Sequence, residues 1–565
     1  MEIFKNYNNY KVYENDYYDW KYQRELYDAK KKEYLQKNPV SEEEKQNAMK
    51  RGKVLLRALD VMDEYSQTRA EDTEVVMEEI SSQILGGAMQ LGMGAGTILM
   101  LIFRKPKPKI DKVKANSMNE IMKEIAIPYG VGIGASILAS IPVLAWAAQI
   151  QVGASRHGRF EAMEKDLKDP NQFAILDENQ EKQVEETIKT IPFDKSMQKQ
   201  LNKRNLTAFS PFDSFGTIKE LLFKNGAYDE KEEEFENKIA ANQAKAGQKL
   251  TKKDILTAKK DQKLLLNMVE KVDIASQDYA ENVELATNTF NFLSAFASIG
   301  LGWATGKILN VAKVKNDFAQ KALPWLVGGI SAMAVSAYMT SLQKQASRVG
   351  RFKIKQEMEK DINNFLYVDD EKINAQPDVD VEEEKQPNIF KFLLQAKKDN
   401  AEYQKYMKTE AIEEKKRQKA LKQITLSEEQ LKDAKALQFK TFKTFNRVDD
   451  YSQEYSESVE AVGQIVQNPI AIVGTLAGMG LGALVASKKM AKTAKMAKAK
   501  NENLSFIDTL NASIPIFIGT LIGAIPTVAF DYVVTKEQKK ASRIADMLAI
   551  KELDNYKEFV DYENL

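Results

Sequence analysis

The sequence ILGGAMQLGMGAGTILMLIF, residues Ile84–Phe103, contains no charged side chain, although 29% of the chain is Asp, Glu, Lys or Arg. An α-helix rises 1.5 Å per residue, so about 20 residues cross the ~30 Å hydrocarbon core of a bilayer. Five further stretches of similar or greater length also lack charged residues. They are Ile125–Ser155, Leu285–Gly306, Ala322–Gln343, Ala461–Ser487 and Thr509–Phe530. Six such stretches in an otherwise very polar chain predict an integral membrane protein with large charged appendages.

The six stretches form three pairs, and short sequence landmarks flank each pair in the same order. A Lys-rich connector joins the two members of each pair: Arg104–Glu124, Lys307–Lys321 and Lys488–Ser505. Upstream lie Asp63-Glu64-Tyr65-Ser66-Gln67, Asp273-Ile274-Ala275-Ser276-Gln277 and Asp449-Asp450-Tyr451-Ser452-Gln453. Downstream lie Ala154-Ser155-Arg156-His157-Gly158-Arg159-Phe160, Ala346-Ser347-Arg348-Val349-Gly350-Arg351-Phe352 and Ala541-Ser542-Arg543. The pattern predicts an all-α membrane protein made of three repeats of a two-span transmembrane helical hairpin with long polar helical arms.

These boundaries divide the chain into seven parts. They are an N-terminal helical arm (1–80), transmembrane hairpin 1 (81–160), a helical inter-repeat domain (161–284), hairpin 2 (285–352), a second helical inter-repeat domain (353–460), hairpin 3 (461–543) and a C-terminal helical tail (544–565). The polar parts are rich in Lys, Glu, Gln and Ala, which is typical of helical hairpins or coiled-coil-like arms. Ser41, followed three residues later by Glu44, predicts the start of a long helix that leads into the first span.

Small residues recur four apart within the spans. The glycines are Gly92, Gly96, Gly130, Gly134, Gly302, Gly306, Gly474, Gly478, Gly482, Gly519 and Gly523. Hydrophobic attraction between helices is weak in lipid, so close approach at small side chains drives helix association there. We therefore predict that these glycines form helix-packing faces. The alternative is that they reflect only the higher glycine content of membrane helices.

The Ser-Arg-x-Gly-Arg-Phe element is the best candidate for a specific interaction. Its arginines directly follow a span and are Arg156, Arg159, Arg348, Arg351 and Arg543. At that depth arginine can bind lipid headgroup phosphates or pair with carboxylates of the same chain. The acids just before a first span, such as Glu74 and Glu78, are the expected intrachain partners, and simple interfacial anchoring is the alternative. In the third copy Ile544-Ala545-Asp546 replaces the x-Gly-Arg step, so a site that requires both arginines occurs at most twice.

Composition excludes several kinds of chemistry. The chain has no cysteine and one histidine, His157, which excludes disulfides, thiolate metal sites, cysteine nucleophiles and two-histidine metal motifs. His157 is expected to be a surface residue beside the membrane. The Gly-x-Gly-x-Gly runs within spans lack the strand and the Lys-Ser/Thr of a phosphate loop. We therefore predict no catalytic residue, no cofactor and no metal site, and the net charge of +1 predicts no nucleic-acid partner.

An even number of spans places both termini and both inter-repeat domains on one side of the membrane. The charged N-terminal region has no apolar secretion signal, which favours the cytoplasmic side for this material. The alternative orientation places the Lys-rich connectors in the cytoplasm. A further alternative is a virion or secreted assembly that inserts into a membrane later.

The leading functional hypothesis is a non-enzymatic structural or assembly subunit of a larger membrane-associated complex. Its expected partners are membrane lipids and other protein subunits, including further copies of itself. A pore-forming or delivery protein, of the kind that phages or secretion systems insert into a target membrane, is the alternative. A channel or transporter is the second alternative, and it is disfavoured because the spans carry no ionisable groups.

Overall fold

In the computed structural model the chain is described over residues 2–103, 118–195, 251–312, 317–379, 388–499 and 514–560. All regular secondary structure in these ranges is helical. The α-helices are α1 (Glu2–Lys37), α2 (Glu42–Phe103), α3 (Met118–Lys165), α4 (Glu178–Thr190), α5 (Lys252–Val311), α6 (Asp317–Lys360), α7 (Asp370–Asn374), α8 (Ile389–Lys408), α9 (Glu410–Leu421), α10 (Glu428–Ala499) and α11 (Ile514–Glu552). The three Lys-rich connectors lie wholly or partly outside the described residues.

Three pairs of long antiparallel helices dominate the fold. Helix α2 packs along α3, α5 along α6, and α10 along α11. The long helix predicted after Ser41 is confirmed, because α2 begins at Glu42 and the Glu44 N–H donates to Ser41 Oγ over 3.2 Å. Each of these helices runs without interruption from a polar segment into a charge-free stretch. The boundaries expected near residues 80, 284 and 460 therefore lie inside helices.

Four helices are long and apolar enough to cross a membrane. The segments are Gly134–Lys165, Lys252–Leu309, Glu428–Lys489 and Ile514–Glu552, which contain all or part of the second, third, fifth and sixth charge-free stretches. The stretches Ile84–Phe103 and Ala322–Gln343 lie in α2 and α6 but are not among these four in the part of the chain that the structure describes. Large apolar side chains along the stretches are exposed, for example Leu91, Leu138 and Leu481. Such exposure in a long apolar helix is typical of contact with lipid.

We use "head" for the described residues outside the six charge-free stretches. Its main apolar core lies where the polar ends of α2, α5 and α10 meet. The core includes Leu55, Leu59 and Met62 of α2, Leu265 and Val269 of α5, and Phe445 and Val448 of α10, all less than 3% exposed. One helix of each hairpin thus contributes an apolar face to a shared core, and burial of these side chains stabilises the head.

A short 3₁₀ turn follows the second helix of each hairpin and contributes a phenylalanine to the main core. The turns are Pro170–Phe173, Ile362–Asn364 and Tyr556–Phe559, and their N-cap side chains are Asp169, Asp361 and Asn555. Four residues after each cap lies a buried phenylalanine: Phe173, Phe365 and Phe559.

Each turn packs on a helix of a different hairpin. Gln438 of α10 donates to the Leu167 carbonyl over 2.5 Å, and Gln262 of α5 donates to the Leu553 carbonyl over 3.1 Å. The Phe365 ring lies against Gly52 of α2, where any side chain would collide with it. The end of the first hairpin thus contacts the third, the end of the third contacts the second, and the end of the second contacts the first.

The shorter polar helices pack on the hairpin helices and on each other within the head, whereas long projecting arms were expected. Helix α1 lies along α10 and α11, where Tyr10 and Tyr17 are buried with Tyr455 and Ala541. Helix α8 packs on α5 and α6, and α4 packs on α9. The aromatic side chains of α1 account for this difference, because burying a large ring is more favourable than exposing it on a free arm.

Candidate functional site

Three aspartates from three different hairpins meet in the interior of the head. Asp63 of α2, Asp273 of α5 and Asp449 of α10 are each 0% exposed, and they offer carboxylate oxygens that all lie within 4.8 Å of one another. Each aspartate opens one of the upstream landmarks, so equivalent positions of the three hairpins converge. We call this aspartate group and its contacts the polar layer. It comprises Asp63, Glu64, Ser66, Ser155, Arg156, Arg159, Asp273, Ser276, Ser347, Arg348, Arg351, Asp449, Asp450, Ser452, Ser542, Arg543 and Asp546.

The first hairpin binds the aspartate of the third. The Ser66 and Ser155 hydroxyls donate to Asp449 Oδ2 over 2.8 and 3.0 Å. The fully buried Arg159 donates to this same oxygen and to Asp450. Such charge-assisted bonds satisfy a buried guanidinium that would otherwise be very costly to desolvate.

A second arginine of the first hairpin extends this junction. Arg156 Nε donates to Asp450 over 2.7 Å, and its Nη2 donates to Glu454 over 2.6 Å. Burial opposes ionisation of Asp450, but the charges of Arg159 and Arg156 outweigh it and hold the pKa of this carboxyl below its usual value.

The second hairpin binds the aspartate of the first in the same way. Ser276 donates to Asp63 over 3.3 Å, and Arg351 donates to Asp63 and, over 2.6 Å, to Glu64. Arg348 Nε lies 3.2 Å from Glu64 as the counterpart of Arg156. Burial raises the pKa of Asp63 to about 6, although the Arg351 charge acts in the opposite direction.

The third hairpin binds the aspartate of the second, but it lacks the fully buried arginine that the first two hairpins have at Arg159 and Arg351. We call this position the inner arginine. Ser452 donates to Asp273 over 2.8 Å, and its oxygen lies 2.8 Å from that of Ser542. Four residues after Ser542, at the position of Arg159 and Arg351, the chain has Asp546, which is 0% exposed and contacts Asp273.

Two acids therefore face each other at this third junction. Burial and the nearby charges of Asp449 and Asp63 raise the pKa of Asp273 well above its usual value. Burial and the charge of Asp273 do the same to the pKa of Asp546. The position that holds Asp450 or Glu64 at the other junctions is Ile274 here. The third junction therefore lacks both the arginine and the acid that form the ion pairs Arg159–Asp450 and Arg351–Glu64.

The structure places the five predicted arginines in intrachain contacts with acids of a neighbouring hairpin. Arg543 pairs with Asp278. It is the counterpart of Arg156 and Arg348, since each of these three arginines directly follows the serine of its downstream landmark. Arg159 and Arg351 are 0% and 2% exposed, so their guanidinium groups face other side chains of the same chain. The partner acids lie further from the spans than expected, because the helices meet in the head core. His157 is 8% exposed, and the expectation of a surface histidine is wrong.

The glycines fall into several groups. Gly474, Gly478 and Gly482 of α10 face the backbone of α11 at Gly523, Gly519 and Pro515, so no side chain fits between the helices. Gly302 and Gly306 face Pro324 of α6, and Gly92 faces Gly132 of α3. Gly96 is buried, whereas a side chain at Gly134 would meet no described atom within 4 Å, so the described residues show no packing contact there. The surroundings of Gly130 are outside the described residues.

A cavity of about 230 Å³ lies between the first and third hairpins, where the head meets the charge-free stretches. Glu74, Gln151, Glu457 and Glu460 line it together with apolar side chains such as Leu144. Burial, and then the charge of Glu284, raises the pKa of Glu457 to about 8. Along α10, its acids Glu457 and Glu460 lie between Ser452 of the polar layer and the charge-free stretch that begins at Ala461.

Sequence reasoning identified the landmarks but not the role of their aspartates. The signal was the spacing Asp-x-x-Ser, which places both side chains on one helix face and recurs three times. The polar layer offers carboxylate and hydroxyl oxygens, a donor set that suits hard cations such as Ca²⁺ and Mg²⁺. No protein-family model, curated protein or solved structure matches this chain, so the arrangement must be interpreted from its own geometry.

Proposed function

We propose that the chain is a non-enzymatic, multi-pass membrane protein with three copies of one helical hairpin. It acts as a structural scaffold or assembly subunit of a larger membrane-associated complex. The supporting observation is the polar layer, in which each hairpin binds the aspartate of the preceding one in cyclic order through serine hydroxyls and, at two junctions, a buried arginine. Buried and mutually paired groups of this kind fix the relative position of helices.

The spans supply the membrane part of this proposal. Exposed apolar side chains of the charge-free stretches contact lipid, and the glycine contacts hold the two helices of a hairpin together. Other protein subunits, including second copies of the chain, bind the surfaces that remain. The head and both termini lie in the cytoplasm, and nucleic acid is not a partner of this nearly neutral chain.

Alkaline carbonate extraction of membranes from the native source tests permanent membrane residence. We expect the protein to remain in the membrane pellet and to dissolve only with detergent. Release by carbonate alone would overturn the scaffold proposal. It would favour a delivery protein that is soluble before it inserts.

Single cysteines in this cysteine-free chain test the orientation. We expect an impermeant thiol reagent added outside intact cells to label a cysteine at Lys489 in the third connector but not one at Glu42 in the head. The reverse labelling would place the head outside the cell. Permeabilised cells, in which both positions react, are the control for accessibility.

A further inference from the structure

The junction between the third and second hairpins differs from the other two because it brings together two acids and has no arginine at the position of Arg159 and Arg351. We propose that this junction binds one divalent cation, with Ca²⁺ as the best fit, through Asp273 and Asp546 together with the adjoining oxygens of Asp63 and Asp449. The cation takes the place that the inner arginine has at the other two junctions.

The charge balance of the polar layer supports this assignment. Every other acid of the polar layer has an arginine partner, as do the neighbouring Asp278 and Glu270. The pairs are Asp449 with Arg159, Asp450 with Arg156 and Arg159, Asp63 with Arg351, Glu64 with Arg348 and Arg351, Asp278 with Arg543, and Glu270 with Arg24. Neither Asp273 nor Asp546 is paired with a basic side chain among the described residues, and the two carboxyls contact each other instead. A single divalent cation that binds both carboxylates in their ionised form balances their charge.

Unused carboxylate oxygens point to the same place. Apart from its contact with Asp273, the Asp546 carboxyl has no hydrogen-bond partner among the described residues, although this side chain is 0% exposed. The Oδ1 atoms of Asp63 and Asp449 also lack a donor, because the arginines and serines bind the Oδ2 atoms. Buried polar atoms without partners are rare in folded proteins, and a bound ion is one of the accepted explanations.

The donor set selects the kind of cation. Asp63, Asp273 and Asp449 offer oxygens within 4.8 Å of one another, a spacing that ligands at 2.3–2.6 Å from one Ca²⁺ can have. Neither thiolate nor imidazole belongs to the layer, which disfavours zinc and copper. Mg²⁺ gives up its bound waters reluctantly, so a fully buried cage suits Ca²⁺ better.

Equilibrium dialysis with ⁴⁵Ca²⁺ tests the site on the purified full-length chain in detergent after EDTA treatment. We expect one Ca²⁺ per chain, a rise of a few degrees in Tm on binding, and weaker competition by Mg²⁺. Asp546→Asn removes one charge and should weaken Ca²⁺ binding about tenfold or more. Asp546→Arg supplies the arginine of the other junctions, so it should abolish binding while its EDTA-treated Tm equals or exceeds that of the EDTA-treated wild type.

Glu552→Gln is the matched control, because Glu552 is a half-exposed acid on the same helix and its loss should leave Ca²⁺ binding unchanged. If Asp546→Arg does not fold, Asp546→Asn still decides the question. The proposal is wrong if neither Ca²⁺ nor Mg²⁺ binds or stabilises the wild type at millimolar concentration. It is also wrong if both Asp546 variants bind Ca²⁺ like the wild type, or if Asp546→Asn raises Tm in a chain whose stability never depends on cations.

Discussion

The head and the hairpin spans solve opposite packing problems. In the head, charged side chains such as Arg159 and Asp449 are completely buried. In the spans, apolar side chains such as Leu91 and Leu481 are exposed, and the tightest helix contacts are between backbones at Gly478 and Gly519. The head therefore uses directional ion pairs and hydrogen bonds, whereas the spans use close approach without direction.

The two kinds of contact differ in specificity. A glycine contact sets how closely two helices approach, but it does not select the partner, because many small faces are interchangeable. A serine–arginine–aspartate contact works only with a matching partner, because an unmatched buried charge is very unfavourable. We infer that the head determines which hairpins are neighbours, while the spans determine the distance within a hairpin.

Removal of a buried arginine should have the largest effect, because it tests whether buried ion pairs hold the head together. Arg159→Ala leaves Asp449 buried without a cation, and we expect a loss of about 3–5 kcal/mol in unfolding free energy. Thermal unfolding of the detergent-purified protein, followed by far-UV circular dichroism, measures the change. A Tm within a degree of the wild type would show that the polar layer does not hold the head together.

A bulky side chain in a span should have a smaller and more local effect. In Gly478→Ile the new side chain collides with the Gly519 carbonyl, so α10 and α11 must separate, at a cost of about 1–3 kcal/mol. Disulfide trapping between cysteines placed at Gly463 of α10 and Val534 of α11, where a Cβ at Gly463 would lie 3.3 Å from that of Val534, should become less efficient. The control is Gly480→Ile, because a side chain there meets no described atom within 4 Å. Equal trapping in both variants would contradict the predicted contact.

The boundary between the two regions should respond to pH. The pKa of Glu457 is raised from 4.5 to about 8, so the fold favours its protonated form. Its contribution to stability is complete below about pH 4.5 and is lost as the pH rises through 8. Glu457→Gln keeps the group neutral and should stabilise the protein by roughly a few kcal/mol at pH 8.5 but by less than about 1 kcal/mol at pH 5. A pH-independent difference in Tm between variant and wild type would contradict this assignment.

An exposed ion pair of the head should show the smallest loss in unfolding free energy. Arg447 pairs with Glu552 at the surface, with side chains 37% and 43% exposed. We expect Arg447→Ala to cost only about 0.2–1 kcal/mol, since water screens the pair. The same unfolding measurement applies. A loss as large as that of Arg159→Ala would mean that burial is not what distinguishes the polar layer.

Much of the architecture could be predicted from local sequence. The charge-free stretches and the Ser41 cap depend on neighbouring residues only, and the long helix after Ser41 is confirmed by α2. The residues of the polar layer were visible as recurring landmarks around Ser66, Ser276 and Ser452. Helical character follows from composition and spacing, which is information that a short window of sequence contains.

The pairing between hairpins could not be predicted in this way. The sequence distance between Arg159 and Asp449 is long, and nothing in either landmark says which copy is the partner. The complete burial of Arg159 and Arg351 could not be predicted for the same reason, because it depends on helices of another hairpin. The capped turns that end in Phe173, Phe365 and Phe559 were also missed, since none of their intervening residues is the same in all three copies.

The cyclic direction of the contacts has a consequence for assembly. Each hairpin presents a donor edge, with serines and arginine, and an acceptor edge, with aspartate, so the interface is heterologous and closes after three members. A shorter chain with one such hairpin would therefore have the edges needed to form a homotrimer with no free edge. In a homotrimer a change from arginine to aspartate would alter all three interfaces at once. Covalent linkage of the three members is what allows one interface, that of Asp546, to differ from the other two.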